Sequence, residues 1–242
     1  DAIDDGSAAG RLRAEHFLHL RCEVSTPDCL IDFDVLRSHR QTRLVSLMDH
    51  APGQRQFTSL EAYKAYYQGK LRLTDAELDS FHDRRNRESE RYAPAHRQAI
   101  AQYCREAGTT LATHDDATLA HVEEAIGLGI DVAEFPTTWE AARASHAAGL
   151  AVLMGAPNVV RGASHSGNIA ARSLVEAGLL DILSSDYIPF SLMTAVFALA
   201  EGDEAISLPA AVRLASKHPA EAVGLFDRGE IAAGRRGDLI RV

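Results

Sequence analysis

The sequence predicts an α/β fold built on a parallel sheet, and three observations predict it. Short apolar segments of strand length recur six times, each followed by a stretch of helix length. Such alternation gives right-handed β-α-β units. Neither G-x-G-x-x-G nor G-x-x-x-x-G-K-[ST] occurs, which weakens the nucleotide-binding versions of an open doubly wound sheet. The strand ends carry Glu23, Asp49-His50, His114-Asp115-Asp116, Glu134, Asn158 and Asp186. In a closed (β/α)8 barrel of the TIM type, functional residues collect at the carboxyl ends of the strands. Six strands are two short of that barrel, so the first two are expected upstream of Asp1.

The elements follow in order. FLHLRCEV is the first strand and CLIDFDVLRSHR its helix; RLVSLMDH is the second strand. A polar, charge-rich stretch over about 51–91 then reads as an excursion over one face, with helical pieces such as SLEAYKAYYQGK. In AHRQAIAQYCREAG, Ala99, Ile100, Tyr103, Cys104 and Ala107 form one apolar stripe, and Gly108 ends the helix. TTLATHDDA supplies a strand, and Asp116 is placed to cap the helix TLAHVEEAIGLG. The strand IDVAEFPTT leads to the helix TWEAARASHAAG, LAVLMGAPN to SGNIAARSLVEAG, and LLDILSSDYIPF to SLMTAVFALAEG. One more helix is expected in SLPAAVRLASKHPAEAVGL, and the turn glycines and alternation of GEIAAGRRGDLIRV predict a β-hairpin.

Composition narrows the class. The chain has 242 residues, 46% hydrophobic and 24% charged, as in an ordinary globular enzyme. A formal net charge of -9 argues against general binding of nucleic acid or anionic membrane. An anionic small substrate remains open, because a metal or a few arginines reverse the local field. The three cysteines, Cys22, Cys29 and Cys104, form no C-x-x-C pair, so a reducing cytoplasm is expected rather than a disulfide framework. No apolar run reaches membrane-spanning length, and the first stretch has no leader character.

Metal ligation is the simplest physics that gathers the strand-end groups. Carboxylate oxygen and imidazole nitrogen bind borderline divalent cations. A lone His at a strand end is more often structural, and a lone Asp there more often caps a helix. Repetition carries the signal: buried unpaired charges cost several kcal/mol each, and a cation removes that penalty. Glu23, His50, His114, Glu134 and Asp186 are the candidate ligands.

The segments LATHDD and LSSDY, with the ending SKHPAEAVGLFDRGEIAAGRRGDLIRV, resemble the amidohydrolase superfamily of metal-dependent (β/α)8-barrel hydrolases. The resemblance implies six barrel βα units over 1–225 and strands of a small β-domain over 226–242. HLRCEV, SLMDHAPGQRQF, THDDAT, EFPTT, GAPNVVRGASHSGN and LSSDYIP together are similar to one branch, the diphosphatases of phosphonate breakdown. That branch implies a phosphorylated sugar phosphonate as substrate, with hydrolysis inside its triphosphate and release of pyrophosphate. The cofactor implied is a divalent metal, zinc first, with manganese or magnesium as alternatives. Asp186 would ligate metal and act as general base, and Arg55, Arg161 and His165 would meet the phosphates. The superfamily's usual His-x-His pair is missing from these residues and is expected upstream. A homodimer is compatible with this reading. Two alternatives stay open: another amidohydrolase activity, on a cyclic amide or a deaminable base, and a non-catalytic phosphosugar-binding barrel.

Overall fold

The computed structural model of the chain describes residues 2–52, 55, 74–162, 168–201 and 205–242. A short helix, α1 (Ala2–Ala8), precedes β1 (Leu18–Glu23), α2 (Cys29–Leu36) and β2 (Thr42–Met48). The long helix α3 (Asp75–Ala107) leads to β3 (Thr110–His114), α4 (Leu119–Leu128), β4 (Val132–Glu134) and α5 (Trp139–Ala147). β5 (Ala151–Gly155), α6 (Ala156–Arg161), α7 (Ala171–Glu176) and β6 (Ile182–Ser184) follow, then α8 (Ser191–Leu199), α9 (Leu208–Ala215) and α10 (Lys217–Ala222).

The six strands form one parallel sheet in the order β1-β2-β3-β4-β5-β6. A parallel sheet in sequence order with a helix after nearly every strand is an arc of a TIM-type barrel, as expected. Strand periodicity divides its two faces. On the outer face Val45, Leu47, Leu111, Ala133, Val152, Met154 and Leu183 pack with helix residues such as Ile100, Cys104 and Leu174 into the main core. On the inner face Ala112, Val132, Leu153 and Ile182 form a small apolar layer. Two residues further along β3 and β4 the same face carries His114 paired with Glu134, and on β1 and β2, level with Ala112 and Val132, it carries Arg21 paired with Ser46. The inner face therefore changes from apolar to ionisable toward the carboxyl ends of its strands, where a buried charge finds other charges instead of hydrocarbon. Among the described residues no helix is long and apolar enough to cross a membrane.

Local chemistry fixes the βα turns. Thr118 and Thr138 cap α4 and α5, their hydroxyls accepting from the amides of His121 (3.3 Å) and Ala141 (3.1 Å). The cap expected of Asp116 thus falls to Thr118, two residues closer to the helix, because Asp116 is drawn into a buried ion pair. Gly108 ends α3 at φ 66, a conformation that glycine adopts without a Cβ clash.

Several expected elements differ. Residues 75–91, expected in the excursion, are the first half of α3; Thr74 and Glu77 form a capping box that starts the helix well before its apolar stripe. The helical piece expected over 59–70 lies outside the described residues. The strand expected over 150–158 stops at Gly155, and Pro157 sits in the first turn of α6, where its missing N–H is harmless. Asn158 is therefore a helical residue, bonded to the backbone of Ile169 and Ala171. The helix expected over 207–225 breaks at Ser216, because Pro219 cannot supply the amide that a continuous helix requires. The hairpin expected over 229–242 is not formed: residues 226–242 make turns, bends and irregular chain. A two-stranded ribbon is marginal without a surface to pack on, and Ile231, Leu239, Ile240 and Val242 are exposed. Arg228 and Arg236 instead tie this tail to Glu15.

Candidate metal centre

At the carboxyl end of β2, His50 turns its ring toward β3. Its Nδ1 lies 2.5 Å from Glu23 Oε2, and its amide donates to Glu23 Oε1 at 3.0 Å. At the end of β3, His114 places Nδ1 2.7 Å from Glu134 Oε2. Ser46 also donates to that oxygen, at 2.8 Å. A carboxylate on each Nδ1 orients the ring and leaves Nε2 to face away from it. Both Nε2 atoms approach Asp115 Oδ2, His114 at 3.5 Å and His50 at 4.0 Å. One donor atom from each of His50, His114 and Asp115 falls within a cluster 4.8 Å across.

This donor set fits a divalent cation. Two imidazole nitrogens and a carboxylate oxygen suit zinc and its neighbours. Asp115 Oδ2 is buried and has no hydrogen-bond partner among the described residues, an arrangement that is costly until a positive group fills the gap. Burial pushes the Asp115 carboxyl up, against the charges of His114 and His50. Burial pushes the His114 imidazole down, but its Glu134 bond and the charges of Asp115 and Glu134 outweigh that and raise it. His50, His114 and Asp115 would hold the ion. Glu23 and Glu134, expected as ligands, here hold the two imidazoles in place. Asp115, a strand-end residue outside the five candidate ligands, carries the oxygen that faces the gap.

Burial also pushes the Glu23 carboxyl up, but the bond and charge of His50, with Ser25, outweigh it and hold the group at about 2. A carboxyl lowered by folding stabilises the chain fully above its unfolded value of 4.5 and loses that contribution as pH falls through about 2. We expect chelator-treated protein to lose stability over this window, and Glu23→Gln to lose less. Urea midpoints measured across the window test this; parallel acid losses in the two proteins would contradict it.

Asp186 follows β6 with φ 49, and its carboxyl packs against Gly155, where a Cβ would lie 3.1 Å from Oδ2. The structure brings it to the same mouth, outside the cluster of three. Burial raises its carboxyl, against the charge of Arg21. Arg161 ends α6 and donates from Nη1 to the Tyr187 hydroxyl at 2.6 Å, which holds it beside Asp186 at the rim. Arg55 is turned inward. It is 5% exposed and donates to Thr113 at 2.8 Å, to Asp116 and to Glu124. The phosphate contact expected of it is corrected accordingly, since the buried Asp116 and the partly exposed Glu124 already occupy its guanidinium. His165 lies outside the described residues, as do Ser164 and Ser166.

Arg21 is the residue that sequence reasoning missed. It shares the inner face with Glu23 by strand alternation, and its Nη2 lies 3.4 Å from His114 Nε2. Among the described residues it has no carboxylate partner within ion-pair distance. The i, i+2 spacing in HLRCE was the available signal. Asp115 and Phe135, directly after β3 and β4, share the left-handed φ of 56.

Residues 89–241 match the Amidohydrolase family. The chain belongs to that family. This amidohydrolase is 51% identical over 241 residues to the alpha-D-ribose 1-methylphosphonate 5-triphosphate diphosphatase of Escherichia coli (strain K12). The match covers 99% of the amidohydrolase chain and 64% of that relative, so the chain spans a little under two thirds of the relative's length. Its fold is similar to that of an uncharacterized metal-dependent hydrolase from Pyrococcus furiosus, at a TM-score of 0.60 and 12% identity. That likeness covers 98% of the amidohydrolase chain and 52% of the other, and it supports the barrel-type architecture.

Proposed function

We propose that this amidohydrolase forms the metal-binding mouth of a hydrolase that splits the triphosphate of alpha-D-ribose 1-methylphosphonate 5-triphosphate and releases pyrophosphate. The observation that carries the reading is the 51% identity over 241 residues to a diphosphatase of that substrate. The geometry supports it. A bound divalent ion, zinc first with manganese or magnesium as alternatives, would polarise a phosphoryl oxygen and stabilise charge on the leaving pyrophosphate. His50, His114 and Asp115 would hold that ion, while Glu23 and Glu134 fix the ring orientations. Asp186 accepts the proton of the attacking water, a role that suits a carboxyl raised by burial. The water oxygen bonds to phosphorus, and the anhydride P–O bond breaks with its electrons on pyrophosphate. Arg21 and Arg161 meet the phosphate oxygens, Arg161 with its fork steadied on Tyr187. Three buried free cysteines fit a reducing cytoplasm.

The test supplies the triphosphate with zinc or manganese and follows pyrophosphate. We expect release to depend on the metal. Arg161→Ala is expected to raise KM for the triphosphate by about 10-fold or more, the order of one lost charged hydrogen bond. KM for a simple phosphate monoester should change far less. Metal-dependent turnover of a cyclic amide without pyrophosphate release would overturn the assignment, and equal KM shifts on both esters would remove Arg161 from it.

A further inference from the structure

We propose that Arg55 and Asp116 are a positioning pair that holds the Asp115 carboxylate in the mouth, so that cation affinity depends on two residues that face away from the cation. The inference rests on the reading of the mouth as a cation site. It begins from the backbone. Asp115 has φ 56, a left-handed conformation that an L-residue keeps only when its surroundings over-determine it.

The surroundings do so on both sides. The Asp115 amide donates to Glu134 O at 2.9 Å, and the Asp116 carbonyl accepts from the Thr137 amide at 2.9 Å. These two bonds fix the peptide plane before the kink and the plane that follows Asp116. The Asp116 carboxylate then closes the turn: its Oδ1 accepts from Thr113 Oγ1 at 2.9 Å and from Arg55 Nη1. The same guanidinium nitrogen donates to Thr113 Oγ1 at 2.8 Å. Thr113, one residue before His114, and Asp116, one residue after Asp115, are thereby bound to each other and to a single arginine. The segment between them can point its two side chains only into the mouth.

Charge makes the arginine indispensable. Asp116 is 1% exposed and stands beside a second buried carboxylate, Asp115. Glu124 is also in contact with Arg55, and Arg97 lies 3.6 Å from the other Glu124 oxygen. His121, pushed down to about 4 by burial and by Arg55, and Asp49, 2.9 Å from Arg97, are further titratable neighbours. Without Arg55, Asp115 and Asp116 would repel each other across one peptide unit, and relief would come from unwinding the kink and moving Asp115 away from His50 and His114. Arg55 follows β2 in the chain, so a residue from beyond the end of β2 sets the position of a group just after β3.

The experiment measures zinc affinity by competition with a coloured chelator in four proteins: the parent, Arg55→Met, Asp115→Asn and the double variant, with circular dichroism to check the fold. Arg55→Met is expected to weaken zinc by about 10- to 100-fold, the usual effect of removing a group behind the ligands. In the Asp115→Asn background the same change is expected to do almost nothing, since the pair acts through Asp115. Should Arg55→Met fail to fold, Arg55→Lys carries the same test, because one ammonium cannot reproduce the forked contacts to Asp116, Thr113 and Glu124. Unchanged affinity in a folded Arg55 variant, or equal weakening in both backgrounds, overturns the positioning role alone. A parent protein that takes up no zinc overturns the metal-centre reading and this inference with it.

Discussion

Asp186→Asn is expected to lower pyrophosphate release by about 10³-fold or more, within the range seen when a general base is removed, while the fold survives. The second half of that expectation comes from the backbone. Asp186 sits at φ 49, in the left-handed region where asparagine is as comfortable as aspartate. The amide has the same shape, so the close approach to Gly155 is preserved. What is lost is the capacity to take a proton, which an amide lacks. The measurement is kcat under saturating metal and substrate, beside a thermal melt of both proteins. A variant that keeps the parent rate removes Asp186 from the chemistry. A variant that melts far below the parent shows a structural role instead.

Ile100→Ala is expected to destabilise the fold by about 2–5 kcal/mol, the usual range for emptying an aliphatic site in a core. Ile100 is 0% exposed and belongs to the main core between α3 and the outer face of the sheet. Cys104, one turn on, lies in the same core, so no flexible surface chain is at hand to refill the space. For a chain of this size the melting temperature should fall by roughly 5–15 °C. The neighbouring Ala99 faces solvent, and Ala99→Ser is the matched control with a shift close to zero. Equal melts for the two variants would mean that α3 is not seated on the sheet as described.

How far this molecule was legible in its sequence depends on the length scale. The strands were legible because each is an apolar run closed by polar residues, and HLRCE and LATHDD place their ionisable groups at the ends that meet. The start of α3 was hidden because residues 75–91 are charge-rich, which hides a helix from an apolar-stripe search, although the spacing of Thr74 and Glu77 marked it. In the site, residue types were readable and the order of contact was not. His50 and His114 were named, but only distances separate a carboxylate on Nδ1 from one that faces Nε2. Glu23 and Glu134 fall in the first group and Asp115 in the second. Arg55 read as a free loop cation because its two carboxylate partners lie more than sixty residues away.

Three strands of this sheet end in the same bend: Asp115, Phe135 and Asp186 take nearly equal left-handed angles straight after or near the last strand residue, although two carry a carboxylate and the third a phenyl ring. After the first two, a threonine cap starts the next helix independently of what the bend carries. Scaffold and cargo are therefore separable. An engineer could exchange Phe135 for an asparagine or aspartate, both better suited to that angle than a bulky ring, and add a polar arm beside His114 without redesigning the helix behind it. Natural drift has the same freedom, so new reactivity can arise at these corners while the architecture stays put.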